Sequence, residues 1–174
     1  DNLLDGTFTT LTSLESENTI ANTDLLLDTN SDGMPDGFSV SSSPTDLSLS
    51  NGIFTFNTPT QYGHFRVTNP QTVAIGDKLY NFAVFKSNKN SVRLISSNPE
   101  VYSYHSGSNE FEFHSLILNT TATTSNLYIS DAGSTAGSTV SVQRMGRFNI
   151  TDLVNRGILP GGLTDAQYKE LLDN

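Results

Sequence analysis

The chain has no cysteine, no tryptophan, and only 9 Lys and Arg against 18 Asp and Glu in 174 residues. Without cysteine no disulfide framework can hold the fold, so stability must come from packing and from any bound ion. The formal charge of −9 and the lack of a Lys/Arg cluster argue against phosphate backbones and anionic membrane surfaces, so no nucleic-acid partner is expected. No apolar run approaches the roughly eighteen residues that a membrane span needs, and no membrane insertion is expected. The start, Asp1-Asn2-Leu3-Leu4, is neither a signal peptide nor an initiator Met, which suggests a piece of something longer. No Gly-x-Ser-x-Gly elbow occurs, and the 3 histidines are scattered without zinc-ligand spacing.

What is present is Ser, Thr and Asn, with charged residues at 16%, below the ordinary quarter or so, a composition that suits extracellular β-structure. The length fits one well-buried core. Phe38-Ser39-Val40-Ser41 and Asp46-Leu47-Ser48-Leu49-Ser50 alternate apolar and polar, and Asn51-Gly52 then turns the chain into Ile53, Phe54 and Phe56. Asn-Gly between alternating runs is a strong hairpin signal, because both central residues need positive φ. Further short runs span 62–68, 77–87, 91–96, 101–105, 110–119, 125–130 and 138–150, with Gly, Asn, Ser and Pro between them. An entering strand is expected around Leu3, Leu4 and Phe8. The pattern predicts an all-β fold, a two-sheet antiparallel β-sandwich of jelly-roll type, over 1–160. Residues 161–174 form a linker and a short C-terminal helix: Leu163 precedes a Thr164-Asp165-Ala166-Gln167 capping box, and the helix runs from Asp165 to about Leu172. Apolar residues on both faces of Leu79 to Phe85 mark a central strand, and Phe82, Phe111, Phe113 and Leu127 are expected in the core.

The best-specified chemistry lies in Asp28-Thr29-Asn30-Ser31-Asp32-Gly33-Met34-Pro35-Asp36. Asp28, Asn30 and Asp32 alternate, and Gly33 allows a sharp turn that aims their oxygens, the Met34 carbonyl and Asp36 at one point. Hard cations take six to eight oxygens at about 2.3–2.6 Å, so the spacing reads as a structural calcium loop. Ser39 stands at the twelfth position in place of a bidentate Glu, and no amphipathic helices flank the loop, so this is not an EF-hand. A solvated turn collects the same residue types.

A sugar site on a sandwich needs a flat aromatic for the pyranose face and a few fixed polar groups. In His64-Phe65-Arg66-Val67, alternation sends Phe65 and Val67 inward and leaves His64 and Arg66 outward with Tyr62. Arg93 likewise opposes Val92 and Leu94, and Tyr102 and Tyr104 share a face. Tyr62, His64, Arg66, Arg93, Tyr102 and Tyr104 are therefore the candidate ligand-binding set; ordinary surface would look the same. Glu110 and Glu112, two apart on a strand and about 6–7 Å from each other, form the only carboxylate pair with glycosidase-like separation. With Phe111 and Phe113 assigned to the core, both Glu fall on the solvent side, and no enzyme is expected.

Several stretches together resemble a known family: Asn2-Leu3-Leu4 leading to Gly6-Thr7-Phe8, Asp32 to Phe38, Gly76-Asp77-Lys78-Leu79-Tyr80, and Phe148 to Leu153 followed by Thr164 to Tyr168. It is the carbohydrate-binding-module-like jelly roll of tail, baseplate and fibre proteins of phages that infect Gram-positive bacteria. Phe38 stands where that family usually has Trp, and the turn 155–162 also departs from its pattern. The resemblance implies a non-catalytic, receptor-binding module of the extracellular virion, adsorbing to host cell-wall or surface polysaccharide beside other tail or fibre domains. The alternative is a structural or homo-oligomerising tail module without a sugar ligand.

Overall fold

The computed structural model describes residues 14, 16–42, 44–58, 61–68, 71–133 and 137–174. In chain order the strands are β1 (Phe38–Ser41), β2 (Thr45–Ser50), β3 (Ile53–Thr58), β4 (His64–Val67), β5 (Gln71–Thr72) and β6 (Lys78–Ser87). They continue with β7 (Val92–Ser96), β8 (Val101–Tyr104), β9 (Glu112–Asn119), β10 (Thr124–Ser125), β11 (Leu127–Asp131) and β12 (Ser138–Asn149), before helices α1 (Ile150–Asn155) and α2 (Asp165–Asp173). The expected strand around Leu3, Leu4 and Phe8 lies outside the described residues.

Two five-stranded antiparallel sheets result, with orders β1-β4-β11-β7-β8 and β2-β3-β12-β6-β9, and β5 pairs with β10 separately. This is the expected β-sandwich. The Asn51-Gly52 turn has positive φ at both residues, 51° and 70°, and hands β2 to β3. Alternation then sets the core. Phe54 and Phe56 of β3, Phe65 of β4, Phe85 of β6, Leu94 of β7, Ile129 of β11 and Val140 and Val142 of β12 meet between the sheets. Phe65 stacks on Phe38 at 4.8 Å and lies 4.7 Å from Phe54, offset geometries that aromatic pairs favour.

The second sheet carries another layer on its outer face. Tyr80 and Phe82 of β6 and Phe148 of β12 pack with Leu14, with Ile150 and Leu153 of α1, and with Tyr168 and Leu172 of α2. β6 is thus covered on both faces, as its apolar text requires. α2 begins at the capping box, with the Thr164 side chain accepting from the Gln167 N–H and the Gln167 side chain accepting from the Thr164 N–H. The last strand ends one residue before the expected Ile150, and a helix that the strand pattern does not signal follows: Asn149 ends β12 and caps α1 by accepting from the Asp152 N–H.

β12 is paired with β3 only as far as Val142. Beyond a bulge between Val142 and Arg144, its free edge is taken by the preceding segment, through Met145 N–H to the Thr23 carbonyl and Thr19 N–H to the Arg147 carbonyl, each 3.0 Å. Gly146 makes this possible: a Cβ there would fall 2.3 Å from Asn18 Nδ2 and 2.4 Å from the Phe82 ring.

Two core assignments need correction. Phe111 and Phe113 are 37% and 41% exposed. Register pairs Glu112 with Phe85 and His114 with Ala83, so it is Glu112, His114, Leu116 and Leu118 that face the first sheet. Phe113 points to the helical side, against the Phe82 ring at 6.3 Å, near the end of the layer.

Candidate functional site

Strand register across the first sheet builds two rows of outward side chains. One runs Arg66, Tyr128, Ile95, Tyr102, and the other His64, Ser130, Arg93, Tyr104. Their inward neighbours, Phe65, Ile129 and Leu94, are fully buried, so period-2 alternation fixes which groups stand outward. All six candidate residues therefore belong to this side of the molecule. Tyr62, His64, Arg66 and Arg93 line a cavity of ≈ 370 Å³ together with Ile95, Glu100, Asn126, Tyr128 and Ser130. Tyr102 and Tyr104 stand beside it on the edge strand β8, exposed, and contact it through Arg93.

The site has a fixed floor and adaptable walls. Tyr62 precedes β4 in a left-handed conformation, φ 65°, which a bulky side chain adopts only when its surroundings hold it there. Its N–H donates to the Asp131 carbonyl at 2.8 Å, and its own carbonyl accepts from His64 Nδ1 at 3.0 Å. A carbonyl cannot donate, so Nδ1 carries the proton and Nε2 is the nitrogen left to meet a ligand. The His64 ring lies 5.4 Å from Tyr128. Burial raises the Tyr128 hydroxyl above its ordinary range, Glu100 adds to this and Arg93 opposes it, so Tyr128 stays a protonated donor.

Arg93 is the most constrained polar group. Its guanidinium sits 4.7 Å from the Tyr102 ring centre and 5.6 Å from that of Tyr104, with Nη1 3.4 Å from the Tyr104 hydroxyl. Nε is buried without a hydrogen-bond partner. Among the described residues its ion-pair partner is Glu100 at 3.9 Å, and the Arg93 and Glu100 side chains are 13% and 57% exposed, respectively. Arg66 reaches Ser39 Oγ with Nε at 3.4 Å. Aromatic faces, an aliphatic floor at Ile95 and donors at several heights are what a pyranose ring with hydroxyls requires.

Sequence reasoning missed Tyr128, Ser130, Ile95, Glu100 and Asn126. The signal for the first two was present: Leu127 and Ile129 point inward, so Tyr128 and Ser130 must point out. Glu100 and Asn126 lie outside the strands, where period carries no information.

The carboxylate pair Glu110 and Glu112 does not share an open cleft. Glu112 turns to the inner side of the sandwich mouth, which corrects its placement on the solvent face. There it accepts from Ser106 N–H at 3.0 Å, Ser108 Oγ at 2.9 Å and the Ser106 hydroxyl, with His114 Nε2 at 3.2 Å. Desolvation pushes its carboxyl up, but the Ser106 and Ser108 hydrogen bonds and the nearby His105 ring outweigh that and hold it at about 2. An acid held there cannot deliver a proton near neutrality. Burial lowers His114 below its ordinary value despite the hydrogen bond and charge of Glu112.

The loop 28–36 folds around its own side chains. Asp28 accepts from Asp32 N–H at 3.2 Å and Gly33 N–H at 3.1 Å, Asp32 accepts from Met34 N–H at 2.9 Å, and Asp36 accepts from Thr29 N–H at 3.2 Å. Gly33 has φ +80°. Among the described residues no three His, Asp or Glu side chains converge as a metal cage. The donor set is nevertheless all oxygen, and a carboxylate oxygen that accepts one N–H keeps a lone pair for a hard cation.

The two sheets form an antiparallel β-sandwich. No family model matches the chain, and no curated protein matches it in sequence. A family 4 carbohydrate-binding module superposes with a TM-score of 0.52 and 11% identity, covering 75% of this chain and 99% of the module. An arabinose-bound GH51 α-L-arabinofuranosidase gives a TM-score of 0.56 and 11% identity over 76% of this chain, which spans 26% of that enzyme. A variant of a family 29 carbohydrate-binding module gives 0.49 and 18% identity, covering 67% and 84% of the two chains. At these identities the likeness is one of fold.

Proposed function

We propose that the chain is a non-catalytic glycan-binding module whose site is the outer face of β4, β11, β7 and β8, contributed by Tyr62, His64, Arg66, Arg93, Tyr102 and Tyr104 with Tyr128. One observation carries this reading: the register aligns aromatic and hydrogen-bonding side chains in two rows around a cavity on a solvent-facing sheet. The sandwich class supports it at the level of fold. The setting, a phage tail, baseplate or fibre that adsorbs to a bacterial wall polysaccharide, rests on the sequence resemblance. Each site exchanges water hydrogen bonds for protein ones with small net gain, so adhesion comes from many copies acting together. The test is pull-down of the protein on cell walls from a panel of Gram-positive strains, with competition by released wall saccharide. Saturable, strain-selective, displaceable binding is the expected result; absence of binding to every wall by a folded protein sinks the proposal.

Calcium is proposed at Asp28, Asn30, Asp32, Asp36 and the Met34 carbonyl, in a structural role that ties the segment before β1 to the sandwich. A chelator then lowers the melting temperature and added calcium restores it; equal melting curves with and without chelator reject the site. A second reading, an oligomerisation unit of the tail, is favoured by the exposed Phe113 on the edge strand β9 and Phe111 just before it. It calls for a symmetric contact of more than about 1,000 Å², visible as a defined oligomer by sedimentation.

A further inference from the structure

The charge pattern in the cavity is opposite to that of the whole chain. The chain carries −9, yet the cavity brings together Arg66 and Arg93 with a single carboxylate, Glu100. That carboxylate is poorly engaged: it is mostly in solvent and stands 3.9 Å from Arg93 Nη2, beyond hydrogen-bond distance. Arg93 is nearly buried and has a partnerless Nε. A second buried arginine, Arg147, shows how this fold treats a guanidinium with only a structural role. It lies between the sheets and donates to the Asn81 side chain, the Ser125 carbonyl and the Ser96 and Ser125 hydroxyls. Arg93 instead is held by aromatic faces, and its Nη2, which meets Glu100 only at 3.9 Å, is the nitrogen it offers at the cavity wall.

We propose that the site selects saccharides that carry an oxyanion, a carboxylate or a phosphate, which seats between Arg66 and Arg93 above Tyr128 and Ser130 and displaces Glu100 from Arg93. The inference rests on the glycan-binding reading of this face and adds the charge of the ligand. Arg66 and Arg93 stand on either side of β11 and line one cavity; Arg66 reaches toward Ser39 and Arg93 lies against Tyr102 and Tyr104, so an anion above Tyr128 and Ser130 is met by turning both guanidiniums inward. The Tyr128 hydroxyl is protonated and adds a donor. Guanidinium pairs with carboxylate or phosphate through two parallel hydrogen bonds, a geometry that a neutral hydroxyl cannot match. Because the overall charge of −9 repels anions, the preference arises from the local fit.

The test uses purified wall polysaccharide from a strain that the protein binds, cut to size-matched fragments. One portion is amidated with carbodiimide to neutralise carboxylates, another is stripped of phosphate with hydrofluoric acid, and a third is untreated. Amidation or stripping, whichever removes the recognised group, is expected to weaken binding about ten-fold or more, the scale of a charge-assisted hydrogen bond. Arg66→Gln removes most of the preference for the untreated fragment. Glu100→Gln removes the competing carboxylate and tightens binding about two- to five-fold, the scale of an exposed ion pair. Binding that survives both treatments unchanged, or is unaffected by Glu100→Gln, overturns the anionic preference and leaves the glycan-binding reading standing. Failure to bind any wall or fragment removes that reading, and this inference with it.

Discussion

The two sheets present their outer faces to very different surroundings. On the second sheet, Tyr80, Phe82 and Phe148 lie beneath α1, α2 and Leu14, and all three are fully buried. On the first, the equivalent outward positions hold Arg66, Tyr128, Arg93, Tyr102 and Tyr104, and no described helix covers them. One backbone architecture thus buries apolar area on one side for stability and leaves the other side polar, aromatic and reachable. Polar ends and rigid rings keep such an open face soluble.

The comparison predicts that substitutions on the two faces separate stability from binding. The largest effect is expected from Phe148→Ala. That ring stacks with Phe82 at 5.8 Å and Tyr80 at 6.1 Å, and its loss should reduce unfolding free energy by about 3–5 kcal/mol through lost transfer energy and a cavity. Chemical denaturation measures this, while saccharide affinity per folded molecule stays constant. Leu172→Ala follows at about 2–4 kcal/mol, because α2 is too short to hold without its docking residues, of which Leu172 is fully buried. A variant of either residue that binds less tightly while fully folded would blur the distinction between the faces.

How much of this division could be read from the sequence follows from what period-2 alternation encodes. It separates the two faces of a strand, so Phe65 and Val67, and Val92 and Leu94, read as inward, and the structure places them there. It does not say which face is covered. For β9 the apolar Phe111 and Phe113 pointed to the wrong answer, since the inward set begins with Glu112 and His114, polar groups that satisfy each other at the sandwich mouth. Tight local chemistry was legible as well: Asn51-Gly52 and the Thr164 capping box depend on neighbours a few residues away. The meeting of Arg93 with Tyr102, Tyr104 and Glu100 depends on the register of β7 against β8 and on the path of the segment that joins them, which period-2 alternation does not encode.

The mouth of the sandwich, where Glu112 and His114 meet, gives an intermediate effect that depends on pH. Both groups titrate lower in the folded chain than when unfolded, His114 because of burial and Glu112, at about 2, because its hydrogen bonds outweigh desolvation. The unfolded chain therefore binds more protons in acid, and stability falls as pH falls. The His114 part is lost as pH drops below about 6.5, and the Glu112 part between about 4.3 and 2. Glu112→Gln should flatten the lower limb of a melting-temperature profile between pH 5 and 2; an unchanged slope there shows that the depressed carboxyl does not govern acid unfolding.

The smallest effect on stability should come from Tyr102→Ala, and it sharpens the comparison most. Tyr102 is about half exposed and touches Arg93 through its ring face at 4.7 Å, a contact worth about 1 kcal/mol or less at an exposed position. Its melting temperature should therefore lie close to that of the parent protein. Saccharide binding should nevertheless drop about ten-fold, since the ring supplies both an apolar platform and the wall that orients the Arg93 guanidinium. Tyr102→Phe separates these contributions: it keeps the ring, and so should keep most of the affinity, whereas Tyr102→Leu keeps apolar area without a flat π-face and should not. If alanine, leucine and phenylalanine all bind as the parent does, β8 is an ordinary edge, and the recognising surface shrinks to the cavity over β4, β11 and β7.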